Sequence, residues 1–240
     1  MKGVIIAGGS GTRLHPVTRV VNKSLLPVYD KPLIYYPILS LKKAGIKNIL
    51  IISGREHAGQ YVDLMGSGRE LEVKLSYEVQ EEPGGIAQAL GLAEDFADNE
   101  KIVAILGDNV IEDSLRSAVL RFKKQKKGAK VFLKEVEDPE RFGIAEVKND
   151  KIIRIVEKPK EPKSNLAVTG IYMYDKRVWN IIKGLKPSAR GELEITDVNS
   201  FYVKQGTMTY ETLKGEWIDA GTFDALLKAS NLIAGKTDLH

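Results

Sequence analysis

Val4-Ile5-Ile6-Ala7-Gly8-Gly9-Ser10-Gly11-Thr12-Arg13-Leu14 is the stretch on which the reading of this chain turns. A short apolar run suited to a buried strand gives way abruptly to three glycines, a serine, a threonine and an arginine. Glycines let the backbone turn tightly and come close to a ligand. A loop of this kind leading into a helix aims backbone N–H groups at an anion, and the helix dipole favours negative charge there. Arg13 adds a bidentate donor suited to phosphate oxygens. Alone, the segment fits a nucleotide-phosphate cradle, with a plain tight turn as the alternative. Two better-known motifs do not fit. Gly11 is followed by Thr12-Arg13 where a P-loop needs Lys-Ser/Thr, and Leu14 stands where the dinucleotide fingerprint needs its last glycine.

Outward from this loop, apolar runs at 48–52, 71–77, 102–106 and 130–135 read as further strands. Helical patterns lie between them at 33–44, 57–65, 86–96 and 115–127, with Gly45 and Gly128 where helix C-caps belong. This alternation predicts βαβ units and an α/β fold, a parallel sheet with helices on both faces. After about residue 140 the texture changes. Residues 145–148 and 151–157 flank Asn149-Asp150 and read as a hairpin. Residues 158–163 read as a loop, 167–174 as a strand and 177–183 as a short helix. No internal repeat interrupts the chain, so 1–240 reads as one domain. Within it, 1–135 is mainly a nucleotide-binding core, and 136–240 supplies a second ligand wall and a closing helix.

Composition narrows the classes. The 240 residues are 43% hydrophobic and 28% charged, as in globular proteins. No apolar run approaches the roughly 18 residues that cross a bilayer, and the chain enters a strand at once, so neither a membrane partner nor a signal peptide is expected. Cysteine is absent, which excludes disulfides, thiolate metal sites and cysteine nucleophiles and is compatible with the cytoplasm. The formal charge is +4, with four lysines in 123–127. They follow the apolar stripe Leu115, Val119 and Phe122, and no aromatic residues are interleaved among them. A solvated helix end explains them better than a nucleic-acid surface. His15, His57 and His240 lack metal-ligand spacing, and no Gly-x-Ser-x-Gly elbow is present.

Two aspartates end strand-like runs. Asp108 follows Ile102-Val103-Ala104-Ile105-Leu106-Gly107, at the sheet edge beyond which open α/β folds bind ligands. Asp219 ends Glu216-Trp217-Ile218. Two such carboxylates suit Mg²⁺, which takes one or two together with phosphate oxygens and water. Each could instead cap a following helix. Lys23 lies ten residues past Arg13, near enough to fold back over bound phosphates, and a solvated lysine is its plain alternative. Glu157-Lys158 ends a strand and could be a surface ion pair.

Taken together, these segments resemble the sugar-1-phosphate nucleotidylyltransferases. The resemblance rests on 8–14, Lys23-Ser24-Leu25-Leu26-Pro27 and Leu106-Gly107-Asp108-Asn109. More narrowly, 29–37, Glu157-Lys158-Pro159, 167–172 and 190–199 resemble the glucose-1-phosphate thymidylyltransferases. The likeness runs in order from residue 3 to about 230. It implies a Rossmann-like, mainly parallel sheet with a sugar-binding β-rich portion in the second half. It also implies transfer of a thymidylyl group from dTTP to glucose 1-phosphate with Mg²⁺ as cofactor, by direct attack of the sugar phosphate on the α-phosphorus.

By the same resemblance, Gly8, Gly9, Gly11, Thr12, Arg13, Lys23, Gln80, Gly85 and Asp108 bind nucleotide, Gln80 at the base edge. Asp108 and Asp219 hold the metal. Asn109, Gly143, Glu157, Lys158, Val168, Tyr172 and Arg190 take the sugar phosphate, Lys158 and Arg190 at its phosphate. The catalytic set is then Arg13, Lys23, Asp108, Lys158 and Asp219. A homo-oligomer is expected. UTP use, or a non-catalytic sensor of nucleotide-sugars, are the alternatives.

The chain departs from that pattern in two places. It stops at His240, where many such enzymes continue into a helical segment tied to a regulatory nucleotide site, so that form of feedback is not expected. Gly84 stands where relatives often carry aspartate, which should loosen the base-side loop and ease uracil use. Discriminating one methyl group is worth only ~1–3 kcal/mol in an apolar pocket.

Overall fold

Alternate residues of the first strand feed two separate apolar layers, as a period of two requires. The computed structural model describes residues 1–237; His240 lies outside them. In chain order the strands are β1 (Lys2–Ala7), β2 (Pro27–Val28), β3 (Lys31–Pro32), β4 (Asn48–Gly54), β5 (Lys74–Gln80), β6 (Ile102–Leu106) and β7 (Asn109–Ile111). They continue as β8 (Ala129–Glu135), β9 (Gly143–Lys148), β10 (Lys151–Glu157), β11 (Leu166–Tyr174), β12 (Met208–Thr212) and β13 (Trp217–Asp219). The helices are α1 (Tyr35–Lys43), α2 (Ala58–Met65), α3 (Ile86–Gly91), α4 (Glu94–Ala97), α5 (Arg116–Lys124), α6 (Val178–Lys183), α7 (Ile195–Lys204) and α8 (Phe223–Thr237).

Val4 and Ile6 of β1, with Leu50 and Ile52 of β4, pack in the layer that holds Leu90, Trp179, Val198 and Tyr202 from α3, α6 and α7. Ile5, Ile49 and Ile51 pack instead with Ile38, Leu41, Tyr61, Val119 and Phe122 from α1, α2 and α5. Helices on both faces of the sheet are what the alternating pattern predicts, while the sheet itself is mixed and mainly parallel, as the family resemblance implies. A smaller third cluster joins Ala229 of α8 to Val28, Val110 and Ile218. Among the described residues, no helix is long and apolar enough to cross a membrane.

The sheet divides at one strand. β5, β4, β1 and β6 run parallel side by side. β11 is antiparallel to β6 through Ile171–Tyr174, while β8 and then β12 follow on its other edge. Toward its N-terminal end β11 outruns β6, and there Ala167 pairs with Ile144 of β9. One edge of β11 thus carries β6 at one end and the β9–β10 hairpin at the other. The C-terminal ends of β1 and β6 face the opening left between them.

Several expected elements shift. The strand expected at 71–77 begins only at Lys74, because Gly68 (φ +83°) and Glu72 (φ +56°) fold 68–73 into a turn that still buries Val73. The helix expected at 86–96 breaks after Gly91 into α3 and α4, and Gly91 allows close packing on Ile182. The helix expected at 33–44 is nine residues long, starting at Tyr35. Gly45 (φ +81°) follows its cap as expected. Gly128 does not cap α5, which ends at Lys124 with Gln125 as its cap; it leads into β8 and donates its N–H to Asp175 at 2.6 Å. The hairpin turns through Asn149 and Asp150, both at positive φ, as a two-residue turn requires.

Candidate active site

The glycine loop leaves β1 at Ala7, but no α-helix follows it. Thr12–Leu14, Val17–Arg19 and Lys23–Leu25 form short 3₁₀ turns, and α1 begins only at Tyr35. The expected helix dipole behind the loop is therefore missing, and what the loop could offer an anion is its own N–H groups and nearby cationic side chains. Gly11 sits at φ +63°, its carbonyl accepting from the Thr18 hydroxyl at 2.7 Å. Asn22, buried, bonds the Ala7 carbonyl at 3.1 Å and accepts from Ser24 N–H and the Tyr61 hydroxyl. That anchor swings Lys23 back across the loop, where a Cβ on Gly9 would come within 3.1 Å of its Cε. Asn22 carried no role in the sequence reading; its position just before a turn was the available signal.

Lys23 Nζ meets Asp108 directly. Asp108 is buried, and its second oxygen accepts from Asn109 Nδ2 at 3.0 Å. Asn109 is held in turn by Trp217 Nε1 at 2.6 Å, and Asp219 pairs with Asn109 across β7–β13. Neither aspartate caps a helix: α5 starts at Arg116, and Thr222 rather than Asp219 accepts from the first turn of α8.

Burial alone would depress the Lys23 ammonium, but the Asp108 carboxylate, helped by Asp219, holds it above its usual value. Burial works to raise Asp108, yet Lys23 and Asn109 hold it below the carboxylate range. Asp219 is pushed up to about 6, by burial first and then by the charge of Asp108.

The Asp219 carboxylate has no hydrogen-bond donor among the described residues, only Arg13 Nη2 at 3.9 Å. A free carboxylate oxygen beside a second carboxylate fits a divalent cation. Among the described residues no group of three acidic, His or Cys side chains gathers to form a protein-only cage. The donor set therefore suits Mg²⁺ shared with substrate oxygens and water.

Across the opening stand residues of the second half. Glu157 ends β10 opposite Gly143 of β9, and its Oε2 accepts from Thr196 Oγ1 at 2.6 Å. A Cβ on Gly143 would lie 3.2 Å from that oxygen, so glycine keeps the carboxylate accessible. Lys158, at φ +42°, donates its N–H to the Phe142 carbonyl at 3.0 Å. Arg190 is forked on Glu194 at 2.7 and 3.1 Å, with Glu157 at 3.8 Å. It is thus positioned by carboxylates on the wall of the opening.

The two walls enclose one cavity of about 740 Å³. Gly9, Gly11, Thr12, Arg13, Lys23 and Asp219 line it on one side. Gly143, Glu157, Lys158, Val168, Tyr172 and Arg190 line it on the other, while Asn109 lines it beside Asp219, its partner across β7–β13. Asp108 lies beneath Lys23. Gly8, Gln80 and Gly85 form a flank just outside the cavity, where Gln80 Nε2 reaches the Gly85 carbonyl at 3.4 Å and Gln80 Oε1 faces Gly8. Thr196, Asn199, Trp217 and Phe142 also line the cavity and were not singled out; Thr196 and Asn199 lie inside the 190–199 segment already quoted. The loop at 81–85 is tighter than its glycines suggest. Gly84 N–H is bonded to Gln88 at 3.1 Å and its carbonyl to Leu193 N–H at 2.8 Å, so the expected loosening at Gly84 is not found.

A family model for nucleotidyl transferases matches residues 2–236. The glucose-1-phosphate thymidylyltransferase of Neisseria meningitidis serogroup A is 46% identical over 237 residues, 97% of this chain and 82% of that protein. The enzyme of the same name from Xanthomonas campestris pv. campestris is 47% identical over 240 residues, covering 97% and 80%. In structure, a Bacillus anthracis protein assigned as a glucose-1-phosphate thymidylyltransferase, solved with a sucrose, superposes with a TM-score of 0.93 at 56% identity, covering 97% of this chain and 94% of that one. A UDP-glucose pyrophosphorylase complexed with UDP-glucose superposes with a TM-score of 0.85 at 28% identity over 98% of both chains. The chain therefore belongs to the nucleotidyl transferase family of enzymes, with glucose-1-phosphate thymidylyltransferases as relatives along 97% of its length.

Proposed function

We propose that the chain transfers a thymidylyl group from dTTP to α-D-glucose 1-phosphate, giving dTDP-glucose and pyrophosphate. One observation carries this reading. A single cavity joins a glycine loop with Arg13 and Lys23 to a wall bearing Glu157, Lys158 and Arg190, and the Asp108–Asp219 pair stands on the nucleotide side. The first wall suits a polyphosphate, and the second suits a polyhydroxyl ring with its own phosphate.

The chemistry asks little proton transfer of the protein. The sugar phosphate oxygen is already anionic at neutral pH, so it attacks the α-phosphorus without a general base. A bond forms between that oxygen and the α-phosphorus, and the bond to the β-phosphate bridge breaks, releasing pyrophosphate. The difficulty is bringing two anions together in line, which is a matter of positioning and charge. Arg13 and the loop N–H groups hold the triphosphate, and Lys23 offsets its charge from beside Asp108. Lys158 and Arg190 orient the incoming phosphate. Glu157, steadied by Thr196, accepts from sugar hydroxyls. Mg²⁺ held by Asp108 and Asp219 supplies charge neutralisation on the phosphates when bound.

The test is pyrophosphate release over a grid of nucleoside triphosphates and sugar 1-phosphates with Mg²⁺. Turnover highest with dTTP and glucose 1-phosphate is expected. Turnover with UTP matching dTTP removes the thymidylyl assignment, and silence across the grid removes catalysis.

A further inference from the structure

Gln88 of α3 accepts two hydrogen bonds on one oxygen. Its Oε1 receives Gln80 Nε2 at 2.5 Å and the Gly84 N–H at 3.1 Å. Gln80 Nε2 also reaches the Gly85 carbonyl at 3.4 Å. The amide nitrogen of Gln80 is thus committed to the α3 side. Its carbonyl oxygen is left without a donor among the described residues. That oxygen faces the phosphate loop, since a Cβ built on Gly8 would lie 2.5 Å from it. Gly84 completes the arrangement: a Cβ there would fall 2.5–2.6 Å from the end of the Gln88 side chain, so glycine provides the space that Gln88 fills.

We propose that Gln88 is a positioning residue for base recognition, holding the Gln80 amide so that its carbonyl, and not its NH₂, is presented to the nucleotide base. This rests on the nucleotidyl-transfer reading above, with the base lying beside Gln80. The two orientations of a glutamine amide have nearly the same shape but opposite hydrogen-bonding character. Left free, the group offers a donor or an acceptor with little preference. With its nitrogen occupied by Gln88 and Gly85, it offers an acceptor. An acceptor pairs with the ring N–H of an imide, which thymine and uracil carry at N3. Cytosine has a lone pair at that position, so it meets oxygen against nitrogen with no hydrogen between them. Gln88 thereby selects imide bases without itself touching the nucleotide: Gly84 makes room for it, and Gln80 makes the contact.

The test compares kcat and KM for dTTP and dCTP in the full chain, with glucose 1-phosphate as acceptor. Gln88→Met keeps the bulk of the side chain and removes the acceptor. It is expected to raise KM for dTTP about tenfold with kcat nearly unchanged, and to shrink the dTTP-over-dCTP ratio of kcat/KM about tenfold. Gln88→Glu retains the accepting oxygens and should keep that ratio within about twofold of the parent. In a Gln80→Ala background the Met substitution should change nothing further, because Gln88 acts through Gln80. Gln88→Ala, a second removal of the acceptor, should reproduce the altered ratio in protein that melts as the parent does. An unchanged ratio in folded Gln88→Met or Gln88→Ala protein overturns the proposal, as do additive losses in the double variant or a loss in Gln88→Glu equal to that in Gln88→Met. A parent that releases no pyrophosphate from dTTP instead sinks the functional reading beneath it, and the two failures are distinguishable.

Discussion

Asp219 lies directly opposite Asn109 in the β7–β13 ladder, and the Ala220 N–H closes on the Asp108 carbonyl at 2.9 Å. Two strand ends thereby hold two carboxylates side by side through backbone geometry, not through a flexible loop. Replacing either acid with its amide should leave that ladder intact while removing half of the proposed cation site. Asp108→Asn is expected to lower kcat/KM by about 10³ with an unchanged far-UV spectrum. Chelation of divalent ions from the parent should do the same and reverse on adding Mg²⁺. Near-parental turnover in Asp108→Asn would count against metal binding there.

Asp219 gives a stability prediction of opposite sign to its activity effect. Its carboxyl is raised to about 6, whereas an unfolded chain holds it near 3.8. Between those values the folded state binds the extra proton, so the metal-free protein loses stability as pH rises through that window. Asp219→Asn lacks the penalty. In chelator at pH 8 it should be more stable than the parent by about 1–3 kcal/mol, and the gap should close below pH 4. Denaturant melts across pH measure it; a gap that does not depend on pH would refute the account.

The Lys23–Asp108 pair is nearly enclosed, with side-chain exposures of 17% and 6%. Lys23→Met strands a buried carboxylate and should cost about 3–5 kcal/mol. Combining it with Asp108→Asn removes the stranded charge and should recover a large part of that loss. Additive destabilisation in the double variant would show that the two groups are not coupled.

Gly221 makes room for Arg13, because a Cβ there would lie 2.5 Å from Arg13 Nη2. Gly221→Ala should therefore displace the guanidinium and raise KM for the nucleotide about tenfold, while KM for the sugar phosphate stays close to the parent's. Equal changes for both substrates would point to a broader distortion.

On the opposite wall, the Thr196 hydroxyl orients Glu157. Thr196→Val keeps the shape and removes that bond. It should raise KM for the sugar phosphate about fivefold, with the nucleotide KM unchanged. Loss of nucleotide affinity alone would remove Glu157 from the sugar side.

Much of this was legible in the sequence because apolar runs and glycine punctuation report local structure. Ile49–Ile52 and Ile102–Leu106 could hardly be anything but buried strands, and Asn149-Asp150 marked its hairpin. What escaped depends on partners distant in sequence. Leu71 and Val73 are as apolar as strand residues yet belong to a turn, since hydrophobicity reports burial and not extension. The glycine loop predicted a helix that the 3₁₀ turns replace, because Asn22 and Tyr61 draw the chain back beneath the loop. Many of the residues that line the cavity were named by motif, but what each one touches could not be. Arg190 forked on Glu194, or Gln80 locked by Gln88, follows only from packing.

The bond from Trp217 to Asn109 spans 108 residues of sequence. Closing so long a loop costs only slightly more entropy than closing one half its length. The bond joins β13 to β7, and it is the docking of β13 that brings Asp219 beside Asp108. The two carboxylates therefore stand together only when segments far apart in sequence have met. The pairing of Asp108 with Asp219 is thus a report on the docking of β13.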